Sequence, residues 1–396
     1  MRGFVTRAAV QLGVAATQVI ILALFVAVLP LLDADPTNWA AEYFVSLAVT
    51  GPVFMLFGFE LRKCTAAAQP NELAGLNSKR MRGTVLAVVV SVVLLVVLIA
   101  FKIVTVPSIY LALLVFKTAN AVNDQISANY ESVDRHGDAV RSNMLKTVVF
   151  IVVALGTAIL ADPTVGVIAG SFGFVLVWAT FDRQRVSGVF TFAWHGGFLR
   201  EDWFLGFGSF LVSLTLNLPR LFAAAFLDDT VVVLLGIGQS LNRLGQLLSA
   251  ALTQALIATQ KRIKSGSRGP LLFSIAVQVI AFVGMILALP IWSRVFAYAD
   301  GPVFTPVLIA VLFFGLLSQL NYIIQSLIMV HVGGRAFLYS PIVFLVGFCA
   351  ILFGVAVIFS IGLYVLLTAM IAARIVQMLW NTRTMWRGRW ATPGVD

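Results

Sequence analysis

A chain of 396 residues that is 60% hydrophobic and only 11% charged is not an ordinary soluble domain, where about a quarter of residues carry charge. Its net charge of +10 points to Lys and Arg retained on cytoplasmic loops of a polytopic membrane protein rather than to nucleic-acid binding. The two cysteines, Cys64 and Cys349, lie in different segments, match no metal or redox spacing, and read as small core residues.

Helices rather than a closed β-barrel are expected, because runs such as VLAVVVSVVLLVVLIAF are apolar throughout, whereas barrel strands alternate. The opening MRGFVTR and the run from Ala8 to Leu32 exceed a signal-peptide core and lack a clear A-x-A site, so a retained first span is expected. In chain order the apolar runs are 8–32, 43–61, 84–104, 107–124, 144–161, 163–181, 203–226, 230–256, 270–293, 304–330, 336–359 and 361–380. Twelve spans put both termini on one side.

With the N-terminus inside, two of the 27 basic residues fall outside, Lys102 and Arg294. Four fall within spans, Lys117, Arg220, Arg243 and Arg374, and the other 21, among them Lys146, fall on inside segments. That asymmetry sets the orientation. Outside turns carry Asp33, Asp35, Glu42, Asp162, Asp228, Asp229 and Asp300. The inside stretch 183–202, with VFTFAWHGGFLREDWF, is amphipathic enough to lie in the interface. It divides an N-terminal six-helix lobe (1–182) from a C-terminal one with a short cytoplasmic tail (203–396). This layout resembles that of transporters, and the short outer loops leave no room for an extracytoplasmic catalytic domain.

The intramembrane cations carry the chemistry. Each costs about 2.5–3.5 kcal/mol at mid-bilayer, and the deep acid offered in return is Asp124, since Glu60 stands at an inner helix end. Hydration in a cavity, or an external anion, is therefore expected. The polar neighbours fall at helical spacing. Gln239, Asn242, Arg243 and Gln246 follow i, i+3, i+4, i+7, and Ser249, Thr253 and Gln254 continue that side over roughly 22 Å. Ser209, Ser213, Asn217 and Arg220 form a second stripe, with Pro219 able to bend the helix and bare a carbonyl. Lys117, Asn120 and Asp124 form a third, and Ser318, Tyr322 and Gln325 a fourth. Gln11 and Gln18 stand on the first span. Structural alternatives weigh against each. Lys117 can pair with Asp124, Arg220 can snorkel, and Arg374 has little polar company beyond Gln377. His136, His195 and His331 read as loop or interface residues. No paired carboxylate, H-E-x-x-H or Walker loop appears, so neither an enzyme nor a self-contained ATP-driven pump is expected. Energy is left to an H+ or Na+ gradient, the membrane potential or the substrate gradient.

Three stretches carry a family likeness. EYFVSLAVTGPVFMLFGFELRKCTAA (Glu42–Ala67), LLVFKTANAVNDQISANYESVDRHGDAVRSN, and SLTLNLPRLFAAAFLDDTVVVLLGIGQSLNRLGQLLSAALTQALI (Ser213–Ile257) resemble polysaccharide and O-antigen flippases of the multidrug/oligosaccharidyl-lipid/polysaccharide exporter superfamily. The aromatic after the Pro-Arg pair is shifted here to Phe222. The resemblance implies an all-α membrane protein with two six-helix lobes in a V, working by alternating access in a bacterial cytoplasmic membrane. The implied cargo is an undecaprenyl-pyrophosphate-linked oligosaccharide, handed on to a polysaccharide polymerase complex. Arg suits bidentate phosphate recognition. Arg220, Arg243, Lys117 and Arg374 are thus expected as anion contacts, and Asn217, Gln239, Asn242, Gln246, Tyr322, Gln325 and Gln18 as sugar contacts. Arg7 and Arg62 are placed at the cytoplasmic mouth and Asp124 at a coupling-ion site. The rivals are a multidrug/cation antiporter of the same superfamily, which calls for acids in its cavity, a membrane-embedded glycan polymerase, and a non-transporting scaffold.

Overall fold

A long apolar segment surrounded by hydrocarbon satisfies its backbone only by closing N–H to C=O bonds within itself, and the described apolar segments of this chain are helical. The computed structural model describes residues 20–58, 61, 65, 72–133, 135–185, 200–260, 268–299, 301–331, 334–356 and 362–390, and every regular element among them is helical. The helices are α1 (Ile20–Leu32), α2 (Pro36–Gly58), α3 (Leu73–Ala100), α4 (Pro107–Ser132), α5 (His136–Leu160), α6 (Pro163–Asp182), α7 (Arg200–Phe226), α8 (Asp229–Gln260), α9 (Arg268–Leu287), α10 (Phe304–His331), α11 (Gly334–Ala356) and α12 (Leu363–Trp390). A short helix, Leu289–Val295, continues α9 after a bend of 55°, where Pro290 lacks a backbone donor. Eight described helices are long and apolar enough to cross a membrane, nine if the bent pair is one span. The long helices outside that set, α4 and α8, are the ones that carry the Lys117 and Arg243 stripes.

All twelve expected spans have a helix, but several start earlier than their apolar runs. α3 begins at Leu73 and α5 at His136, because polar residues open their first turns. Turn residues fix the starts. Asp162 accepts from the amides of Thr164 (2.7 Å) and Val165 (3.0 Å), with Pro163 next in line, a side-chain cap followed by a residue that needs no donor. Asp228 caps α8 through Val231 N at 2.9 Å. Glu42, placed by sequence in an outside turn, lies inside α2 and is buried. Its Oε1 accepts from Thr105 N (2.7 Å) and Val106 N (3.2 Å) and from the Thr105 hydroxyl. A carboxylate of one helix thus caps another.

The chain divides into two compact units, Met1–Leu221 and Phe222–Asp396. Sequence composition puts the divide at 183–202, whereas here it falls inside α7. Up to Leu221 that helix packs on the first unit. Lys79 Nζ meets Asp202 Oδ2 at 3.0 Å, and Phe57 meets the Trp203 ring edge-on at 6.1 Å. From Phe222 onward it joins the second unit, with the Phe222 ring against Phe348 at 5.5 Å.

Within the first unit α5 and α6 touch backbone to backbone. A Cβ at Gly166 would lie 2.5 Å from the Ala154 carbonyl oxygen, so only glycine permits this approach. Phe25, Tyr43, Phe116, Phe150 and Phe174 build the aromatic core beside it. In the second unit, Gly315 of α10 leaves the space that the Asn242 side chain of α8 occupies.

Candidate functional site: basic residues on membrane helices

On α7, Asn217 turns back onto its own helix. Its Nδ2 donates to the Ser213 carbonyl at 2.7 Å and to Ser213 Oγ at 3.2 Å. Its free oxygen accepts from Arg220 Nη2, three residues on and therefore on the same face. Arg220 is 4% exposed, and its guanidinium carbon lies 5.9 Å from the Phe44 ring centre. The Ser213–Asn217–Arg220 stripe is therefore one hydrogen-bonded ladder. Pro219 lies inside a helix that continues without interruption to Phe226.

The α8 stripe splits in two. Asn242 is buried and donates to the Val311 carbonyl of α10 at 2.8 Å, and Gln319 donates to the Asn242 carbonyl at 3.4 Å. It serves helix packing. Arg243, its neighbour, is exposed, with Gln239 and Gln246 half-buried. It stands near the middle of a 32-residue helix and makes no ion pair among the described residues. Lipid is a poor medium for such a cation.

On α4, Lys117, Asn120 and Asp124 are all half-buried. The next face holds a stronger charge pair that sequence reasoning missed. Lys146 of α5 lies 2.6 Å from Asp182 Oδ2, the two side chains 1% and 0% exposed. Lys146 also donates to Asn123 Oδ1 (2.7 Å), Asn123 donates to Asn143 Oδ1 (2.8 Å), and Tyr130 donates to Asp182 Oδ1 (2.9 Å). By sequence Lys146 reads as part of an inside segment, because its helix starts eight residues before the apolar run 144–161 and the residue stands at that run's inner edge. Asp182 closes α6 in a π-turn, Trp178–Asp182, a wide turn that re-aims side chains. Lys146 and Asn123 also reach an apolar cavity of about 570 Å³ lined by Leu111, Val115, Phe172, Val175 and Trp178.

In the second unit Arg374 is 3% exposed. Gln325, expected as a sugar contact, is buried and donates to Ser340 Oγ at 2.5 Å. Tyr322 is 41% exposed. Arg7, Gln18 and Arg62 lie outside the described residues, as does His195. Among the described residues no group of three His, Cys, Asp or Glu side chains is placed to hold a metal.

No protein-family model matches the sequence, and no curated protein matches it. Solved structures do match over almost the whole chain. The chain is similar to a multidrug resistance MATE family transporter of the MOP superfamily in an inward-facing conformation, at 15% identity and TM-score 0.64 over 98% of this chain and 100% of that one. An outward-facing MATE family transporter matches at 12% identity and TM-score 0.57, over 98% and 96%. A MOP superfamily transporter from Pyrococcus furiosus, described as having a binding pocket of reversed polarity, matches at 13% identity and TM-score 0.54, over 98% and 96%. With these helices and this coverage, the chain has the all-α fold of MATE transporters of the MOP superfamily.

Proposed function

We propose that this protein is a flippase that carries an undecaprenyl-pyrophosphate-linked oligosaccharide across the bacterial cytoplasmic membrane by alternating access, delivering it for surface-polysaccharide assembly. The observation that carries this reading is Arg243, an exposed cation at mid-helix with no ion pair among the described residues. A guanidinium there suits a pyrophosphate, which it can grip with paired hydrogen bonds. Arg220, already oriented by Asn217, is the proposed second anion contact and Lys117 a weaker one. Gln239, Gln246 and Tyr322 suit sugar hydroxyls. Asp124 is the proposed contact for a coupling proton or sodium ion.

Multidrug export by a cation antiporter is the competing reading, drawn from the names of the structural neighbours. A cationic cargo calls for acids, yet from Thr230 to Val395 the chain has one, Asp300. This favours an anionic cargo.

Deletion in the native cell, followed by protease and lectin access to lipid-linked glycans, tests the reading. It predicts complete lipid-linked units accumulating on the cytoplasmic face. Complete but unpolymerised units on the outer face would instead mark a polymerase step. No change in any lipid-linked glycan would turn the assignment to drug export. In complementation, Arg220→Ala and Arg243→Ala are expected to abolish export while membrane insertion, followed by fluorescence of a fused reporter, stays normal; full export by both would refute the anion contacts.

A further inference from the structure

Among the described residues, the second unit buries a cation, Arg374, that makes no ion pair. The single acid between Thr230 and Val395, Asp300, precedes α10, and α10, α11 and α12 contain none. Arg374 stands eleven residues into α12, roughly 16 Å along its axis, and is 3% exposed. Its Nη1 donates to Gln377 Oε1 at 2.5 Å. The rings of Phe314 and Phe344 lie 4.8 and 4.4 Å from the guanidinium carbon, contacts that stabilise the cation through the aromatic quadrupole. Nε and Nη2 have no hydrogen-bond partner among the described residues. Those two atoms share one edge of the planar group, the edge that grips an anion with two parallel hydrogen bonds.

The surroundings are short of acceptors. Three amide groups, on Gln325, Gln377 and Asn381, donate to the one oxygen of Ser340, at 2.5, 2.9 and 2.9 Å. A hydroxyl oxygen offers two lone pairs, so donors exceed what it can accept. Asn381 Oδ1 is an acceptor without a donor, but it lies two helical turns beyond Arg374. Buried charge without a partner is strongly unfavourable, and among the described residues no carboxylate of the unit pairs with Arg374.

We propose that the second unit holds a small monovalent anion, of halide or formate size, on the Nε–Nη2 edge of Arg374, as an internal counter-ion. The enclosure of the side chain selects a free small ion over a lipid headgroup. This site is separate from the cargo contacts at Arg220 and Arg243, and its test does not use transport.

The experiment is thermal unfolding of the purified full chain in detergent, in sodium chloride and in sodium gluconate of matched ionic strength. Chloride should raise the wild-type midpoint by about 2–4 °C, saturably, and Arg374→Met should melt identically in both salts. Equal wild-type midpoints in the two salts would overturn the proposal and leave water on that edge. A chloride effect retained in Arg374→Met would overturn the placement. Should that variant fail to accumulate, bromide-soaked wild-type crystals decide. An anomalous peak beside Nε and Nη2 supports the site, and its absence there refutes it.

Discussion

Lys146 and Asp182 form an ion pair that hydropathy alone does not reveal. Both side chains are sealed from solvent. Removing one partner strands the other as a buried charge, which costs about 3–5 kcal/mol, whereas replacing both with apolar groups of similar volume is often neutral. Lys146→Met and Asp182→Asn are each expected to lower the unfolding midpoint clearly, and Lys146→Met/Asp182→Leu to recover most of the loss. Additive losses in the double variant would show that the two residues act apart. Asn242 and Arg243 teach a related lesson. Helical spacing puts them on one polar stripe, yet one fills the space above Gly315 and the other stands open. A stripe as broad as α8's faces two environments, and periodicity alone does not say which residue meets which.

At the scale of elements, the sequence shows where helices exist more firmly than where they begin. Apolar runs mark all twelve helices, because a bilayer leaves few alternatives. Their polar first turns, as in LAGLNSKRMRG of α3 and HGDAVRSN of α5, look like loop by hydropathy and are helix in fact. Close packing was also invisible, since it depends on what lies opposite. A Cβ at Gly166 would lie 2.5 Å from the Ala154 carbonyl oxygen, whereas a Cβ at Gly156 would meet nothing within 4 Å. Gly166→Ala is therefore expected to part α5 from α6 and destabilise by about 1–3 kcal/mol. Gly156→Ala, in the same hairpin, is expected to be neutral or to stabilise by up to about 1 kcal/mol. Melting the two variants side by side checks the contrast; equal destabilisation would mean that the approach is not what matters.

For the molecule as a whole, the charge pattern makes the sharpest prediction. The excess of basic residues on alternate loops predicts that Lys102, between α3 and α4, faces outward. A Lys102→Cys variant in a background lacking Cys64 and Cys349 should react with a membrane-impermeant maleimide in intact cells. A matching Arg335→Cys variant should react only after lysis, and the reverse pattern would invert the assigned orientation. The boundary between the compact units falls inside α7. Its Lys79–Asp202 and Arg220–Phe44 contacts belong to the first, and its Phe222 ring to the second. Nothing in an amphipathic linker such as 183–202 reveals on which side the next helix will pack.

The Glu42 cap has a bearing on how the chain is made. Its carboxylate belongs to α2, but the amide and hydroxyl donors that hold it, at Thr105, follow 63 residues later. At about 5–20 residues per second of synthesis, α2 waits roughly 3–13 s before that partner leaves the ribosome. During that interval an acidic side chain destined for burial lacks the hydrogen-bond donors that hold it, and the helix is best kept at a watery or proteinaceous flank of the insertion machinery. Nascent chains arrested before Thr105 should therefore leave α2 extractable by alkali, and chains arrested after α4 should lock it in the bilayer.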